Sequence, residues 1–248
     1  VHQVFFTSCQ SIEEQYKVVP IIHPPLSSSD DRANPIFYTL KKGTKLFRIY
    51  RCTSEYCPSP LDFRYYGPLN RFDHHRGEPP YLTYKVQESK PSKDSQRGIS
   101  YFGKEFSCCL VEVFGNTADA AYITEEYSLV ILKAKKDLNL LDIRNNGAMR
   151  AGANEASLSK VGKYEVSQAW SRYFYNQTKI YTEIQGIIYC NAHNNEESIA
   201  LYDRAENLLH LPEAIHLLTY EELKVHIIKV GKKNNINFIF PNDYKLIN

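Results

Sequence analysis

YSLVILKA at Tyr127–Ala134 and LNLLDIR at Leu138–Arg144, separated by the polar turn Lys135-Lys136-Asp137, form the stretch that decides the fold class. Short runs rich in Val, Ile and Leu and bounded by a turn carry the signature of buried strands. Toward the C-terminus, Ser157–Asn176 shows helix spacing through Val161, Tyr164, Trp170 and Phe174. Strands are then expected at Gln185–Cys190 (QGIIYC) and Ser198–Tyr202 (SIALY), a helix over Leu218–Lys232, and a closing strand at Ile236–Phe240 (INFIF). Toward the N-terminus, a short strand at Gly98–Phe102 precedes a helix over Lys104–Phe114 that Gly115 should end. Thr44–Arg51 alternates apolar and basic residues as a strand would. Helices and strands intermix without a regular βαβ rhythm, so the expected fold class is mixed α+β rather than doubly wound.

Outside these elements the pattern weakens. Residues 1–43, with Pro24-Pro25 and the polar run Ser27–Arg32, are expected to be an N-terminal extension, and 44–248 the domain proper. Pro58–Pro80 is too irregular for long elements, and Gln87–Arg97 (QESKPSKDSQR) has the polarity of a mobile surface loop. No internal repeat is evident, and Lys232-Lys233-Asn234-Asn235 fits a solvated turn.

Composition narrows the function. In 248 residues, 30 Lys and Arg against 28 Asp and Glu leave +2 and a pI near 8.1, a weak field for holding nucleic acid. With 43% hydrophobic and 23% charged residues the chain is of ordinary globular type, and no apolar run approaches a membrane span. Tyrosines (19) outnumber Phe (12) and Trp (1), which either suits a cleft that stacks a planar ligand or follows from genome composition alone. The chain begins at Val1 and holds one Met, Met149, as expected of a trimmed or processed chain or a domain of a longer one; Val1–Cys9 lacks a signal peptide's basic start. Six Cys (9, 52, 57, 108, 109 and 190) form no CxxC pair and read as reduced cytosolic thiols.

The common phosphate loops, HExxH and GxSxG are absent. His74-His75 after Asp73 lacks a third ligand at suitable spacing and reads as a surface or hydrogen-bonded pair, so no metal is expected. The informative segments are Tyr65–Gly77 (YYGPLNRFDHHRG), Gly98–Gly103 (GISYFG) and Ser107–Phe114 (SCCLVEVF). Glu112 is the one acid of an otherwise apolar helical stretch, either a capped or salt-bridged residue or a functional carboxylate.

These segments together resemble the RES domain, named for Arg, Glu and Ser and carried by toxins of RES–Xre toxin–antitoxin modules. The resemblance runs from about Leu46 to Tyr202. It comprises the Arg48 strand, Asn70-Arg71-Phe72, the strand tyrosine Tyr101, Leu110–Phe114, the Trp170 helix, Gly186–Asn191 and Ile199–Asp203. It implies an ADP-ribosyltransferase-like fold and breakdown of NAD, a substrate rather than a cofactor, with release of nicotinamide. The family's Arg falls on Arg71, its Tyr on Tyr101 and its Glu on Glu112. Its Ser falls near Asn191, beside Cys190, which is a departure, and the Arg71–Tyr101 interval is lengthened by the insertion at Gln87–Arg97.

The chemistry suits such residues. A guanidinium fork fits pyrophosphate oxygens, and Arg71, then Arg48, would clamp them. Tyr101 or Tyr66 would stack on nicotinamide, and Asn191 would bind a ribose or amide. Cleavage passes through an oxocarbenium-like state that the Glu112 carboxylate would stabilise. The expected function is an NAD glycohydrolase or phosphorolytic toxin. The alternatives are a mono-ADP-ribosyltransferase of a protein target and a non-catalytic nucleotide- or partner-binding module. A cognate antitoxin or immunity protein is the expected partner, nucleic acid and membrane are not, and the place of action is the producer's or a recipient's cytosol.

Overall fold

A computed structural model describes residues 33–56, 59–78, 90–117, 119–153 and 158–241. Its elements in chain order are β1 (Phe37–Leu40), β2 (Lys45–Arg51), β3 (Tyr66–Gly67), β4 (Ser92–Lys93), β5 (Ile99–Gly103) and α1 (Phe106–Phe114). Then come β6 (Ala121–Tyr122), β7 (Tyr127–Lys133), β8 (Leu138–Asp142), α2 (Gly147–Arg150), α3 (Tyr164–Asn176) and α4 (Thr178–Tyr181). The last are β9 (Gly186–Cys190), β10 (Glu197–Tyr202), β11 (Ala214–Leu217), α5 (Glu221–Asn234) and β12 (Phe238–Ile239).

Among the described residues, eight strands make one mixed sheet in the order β1-β8-β9-β10-β5-β2-β7-β11, antiparallel throughout except for the parallel pair β8–β9. Period-two alternation sends successive side chains to opposite faces. In β9, Ile187 and Tyr189 pack with Trp170 and Phe174 of α3, whereas Ile188 joins Leu140, Ile199 and Leu201 on the other face. Near β2 and β7, a third cluster packs Leu110 and Phe114 of α1 against Leu129 and against Ile227 of α5. The mixed α+β architecture is the one expected.

The boundaries differ in instructive places. Residues 37–40, assigned by sequence to the extension, form the edge strand β1, paired with β8 from Phe37↔Leu141 to Leu40↔Leu138. The single helix expected over Ser157–Asn176 is broken: a 3-10 turn covers Leu158–Lys160, and extended Lys163 delays α3 until Tyr164. The helix expected from Lys104 starts at Phe106 because Glu105 is extended. Gly115 does follow that helix, but in right-handed conformation, its N–H donating to the Val111 carbonyl at 2.8 Å. Its need for a glycine is proximity, since a Cβ there would collide first with the Val111 carbonyl and would then crowd the His193 ring.

The strand expected at Ile236–Phe240 does not close the main sheet; β12 pairs in parallel with β6 in a separate two-stranded sheet. Gln87–Arg97 is also corrected over its described part. β4 pairs with β3, and Asp94 accepts from Arg76 Nε at 2.9 Å and Nη2 at 2.6 Å, so the described part is tied to the fold at these two points. The polar run at 27–32, Pro24-Pro25, Cys9, Cys57, Pro58, Pro80, residues 87–89 and Ser157 lie outside the described residues. Cys52, Cys108, Cys109 and Cys190 are free thiols. Among the described residues, no helix is long and apolar enough to cross a membrane.

Candidate active site

The cleft arises where the main sheet parts. Among the described residues β2 pairs with β5 only at Phe47↔Gly103, while it runs alongside β7 for its whole length. Beyond that pair the strands diverge, leaving Arg48–Arg51 on one wall and Ile99–Phe102 on the other. The opening encloses about 440 Å³, within the range of small-molecule sites. Arg71, Tyr164, Tyr189, Ser198 and Glu112 are among the other residues that line it, with Val113 and His193.

The Arg71 side of the cleft is organised by a carboxylate that the sequence reading did not assign. Asp73 is fully buried and accepts two bonds from Arg64 Nη2 at 2.9 and 2.7 Å. It also accepts from the Leu69 and Asn70 amides at 2.5 and 2.9 Å, and from the Tyr101 hydroxyl at 2.8 Å. The Tyr101 oxygen in turn accepts the Phe72 N–H at 3.1 Å. Burial alone would push the Asp73 carboxyl up. The Arg64 guanidinium, followed by His75 and the two amides, more than offsets this and holds it below the ordinary range. Burial first, and the Asp73 charge next, keep the Tyr101 hydroxyl well above the tyrosine range, so it stays a neutral donor. The turn carrying Arg71 is thus anchored on both sides, at Asn70 and at Phe72. The Arg71 guanidinium itself lies over the Tyr164 ring, 4.7 Å from its centroid, and donates to the Val161 carbonyl.

Across the cleft, α1 buries Cys108, Cys109, Leu110, Val111 and Phe114 and leaves Glu112 facing out. Ser198 Oγ, from β10, donates to Glu112 Oε1 at 3.5 Å and lies 2.9 Å from Cys108 Sγ. Glu112 is exposed to the cleft, yet the walls shed enough water to raise its carboxyl above the ordinary value. His193, Arg71 and Ser198 draw it partly back down. Tyr189 is buried, and that burial, with the Glu112 charge, holds its hydroxyl well above the tyrosine range. Burial pushes the Cys108 thiol up to about 11, which makes it a poor nucleophile at neutral pH.

Of the residues expected at the site, Arg71, Tyr101, Glu112 and Arg48 line this one cleft. Arg48 is largely spent on the chain, donating to the Pro60 and Asp62 carbonyls at 2.9 Å each. Two expectations fail. Tyr66 is not among the lining residues; its ring stacks on Tyr56 with centroids 4.2 Å apart. Asn191 is fully buried, and its side chain caps the β9–β10 turn instead of reaching the cleft. The hydroxyl beside Glu112 belongs to Ser198. Strand alternation through SIALY signals that residue's inward face, but only the pairing of β10 with β5 and β9 brings it to Glu112. Tyr189, His193 and Asp73 were likewise unassigned, and no spacing rule singles them out.

Against known proteins, the family model of the RES domain matches residues 45–223. Among solved structures, the crystal structure of the M. tuberculosis MbcT–MbcA toxin–antitoxin complex is similar at 16% sequence identity and a TM-score of 0.45, covering 79% of this chain and 94% of that one. No curated protein matches. With most of its length, including every strand of the main sheet except β1, inside the matched span, the chain belongs to the RES domain family.

Proposed function

We propose that the cleft takes NAD as substrate and that the chain breaks the bond between nicotinamide and ribose, acting as a toxin that depletes cellular NAD. The observation that carries this reading is one cleft lined by both an anchored guanidinium, Arg71, and a carboxylate, Glu112. The Arg71 fork suits the pyrophosphate, and its stacking on Tyr164 fixes the plane it presents. Nicotinamide leaves as a neutral molecule with the electron pair of the C–N bond, so departure needs no strong acid. Glu112 faces the positive charge that develops on the ribose and accepts from its 2-hydroxyl, and Ser198 holds the carboxylate from behind. The Tyr101 ring supplies an aromatic face, its hydroxyl being committed to Asp73.

In this reading the catalytic unit is 44–248 together with β1, and a cognate antitoxin or immunity protein covers the cleft mouth near Arg71. The activity is exerted in the producer's or a recipient's cytosol. A second reading, transfer of ADP-ribose to a protein, is favoured by Val113, an exposed apolar residue on the cleft wall next to Glu112, where an acceptor protein would seat. Chromatographic identification of products from NAD, with and without phosphate and with a labelled acceptor protein, separates hydrolysis, phosphorolysis and transfer. NAD recovered bound and intact would favour a non-catalytic binding module and refute the proposal.

A further inference from the structure

Asn191, buried where the family has a serine, builds the turn that carries His193, a cleft residue with no part in binding NAD or in nicotinamide departure. Asn191 Oδ1 accepts the N–H groups of His193, Asn194 and Asn195 at 3.1, 2.9 and 3.1 Å, and Nδ2 donates to Asn194 Oδ1 at 2.7 Å. The Asn191 N–H closes the turn on the Glu196 carbonyl at 2.9 Å, and Asn195 takes the left-handed conformation with φ 64°. One buried side chain thus fixes a whole turn between β9 and β10. The turn presents Ala192 and the His193 imidazole to the cleft.

The imidazole is exposed, lines the cleft and lies against the end of α1 one turn beyond Glu112. It lies close to the Glu112 carboxyl, which the protonated ring, the form left after a proton is taken up, draws down more than any other group does. Among the described residues no protein group is hydrogen-bonded to its ring. An imidazole held this way lines the same cleft as Glu112, the carboxylate that faces the ribose in the reading above.

We infer that His193 is the acceptor-side base, a role that rests on the NAD reading above. Once nicotinamide has left, an oxygen lone pair of water or of a protein hydroxyl forms the new bond to the ribose C1′. The O–H proton passes to a ring nitrogen of His193 and from there to solvent. An acceptor already carrying its charge, such as azide or the phosphate dianion, forms its bond to C1′ without giving up a proton and has no need of the base.

The test compares His193→Ala and His193→Gln with the wild-type chain, measuring nicotinamide release and identifying the ribosyl product with and without added azide. Hydrolysis is expected to fall about a hundredfold, the low end for loss of a general base. Azide should restore nicotinamide release and yield the glycosyl azide. Because His193 is exposed, its replacement leaves the core untouched. Hydrolysis by His193→Ala within about threefold of wild type, where general-base loss predicts far more, would overturn the inference. So would a loss of activity that azide does not repair, which marks a role in binding or shape. A wild-type chain that releases no nicotinamide with any acceptor would defeat the NAD reading, and this inference with it.

Discussion

Asp73→Asn is the substitution whose cost the structure specifies best. The carboxylate is fully buried, and its Oδ2 receives Arg64, Leu69 and Asn70 while Oδ1 receives Arg64 and Tyr101. An amide keeps one of these oxygens and turns an NH₂ group toward donors at the other. If it keeps Oδ2, the NH₂ faces Arg64 and Tyr101, and the Tyr101 oxygen is already taken by the Phe72 N–H. Arg64, with a side chain only 11% exposed, is left without its counter-charge. Removing one partner of such a pair costs about 3–5 kcal/mol. For a chain of this size, at about 2–4 °C per kcal/mol, that is a drop in Tm of about 6–20 °C. The assay is thermal and urea unfolding followed by circular dichroism, with the urea slope checked for constancy. Because Asp73 anchors the turn on either side of Arg71, KM for NAD should rise as well. A Tm within about 2 °C of wild type, less than 1 kcal/mol would produce, together with an unchanged KM, would mean that Asp73 neither neutralises Arg64 nor holds the Arg71 turn.

Other outcomes follow from the same geometry. The Glu112 carboxyl lies above its ordinary value, and Arg71 is one of the charges drawing it down. In Arg71→Gln, carbon NMR of the Glu112 side chain should show its titration moved still higher, and an unmoved titration would contradict the assignment. Tyr164→Leu removes the ring beneath Arg71 and should raise KM for NAD about two- to fivefold, the worth of a partly exposed cation–π contact, whereas Tyr164→Phe should not. Buried His74 is lowered to about 4, chiefly by desolvation, while the unfolded chain protonates near 6.5. Between these values the unfolded state binds the extra proton, so stability falls with pH and about 3 kcal/mol is lost by pH 4. Urea unfolding from pH 7 to 4.5 should show this slope in wild type, and it should shrink in His74→Gln.

The fold was legible where burial is complete on both faces. The runs YSLVILK, GIIYC and SIALY have few polar residues because both sides of each strand are packed, and they read as strands from sequence alone. The sheet edges were not legible. β1 and β11 are four residues long, with exposed or half-exposed side chains among them, so FYTL and AIHL carry no alternation strong enough to stand out. The break before α3 was missed because Val161 keeps helical spacing while lying outside the helix, where its carbonyl serves Arg71. At the site, Arg71 and Glu112 were found through family spacing. Asn191 was misplaced because a side chain that caps three amides and one that meets a ligand look alike in a sequence. Ser198 and His193 became visible only once strand pairing and the turn had brought them beside α1.

The most direct trial is single-turnover nicotinamide release by wild type and Glu112→Gln, with NAD affinity measured on both by calorimetry. Wild type should release nicotinamide rapidly, and the amide variant should lose about a hundredfold or more with affinity nearly unchanged, as for a group acting on the transition state. Equal release by the two proteins would leave Glu112 without a role in bond cleavage, and none by either would remove NAD as the substrate.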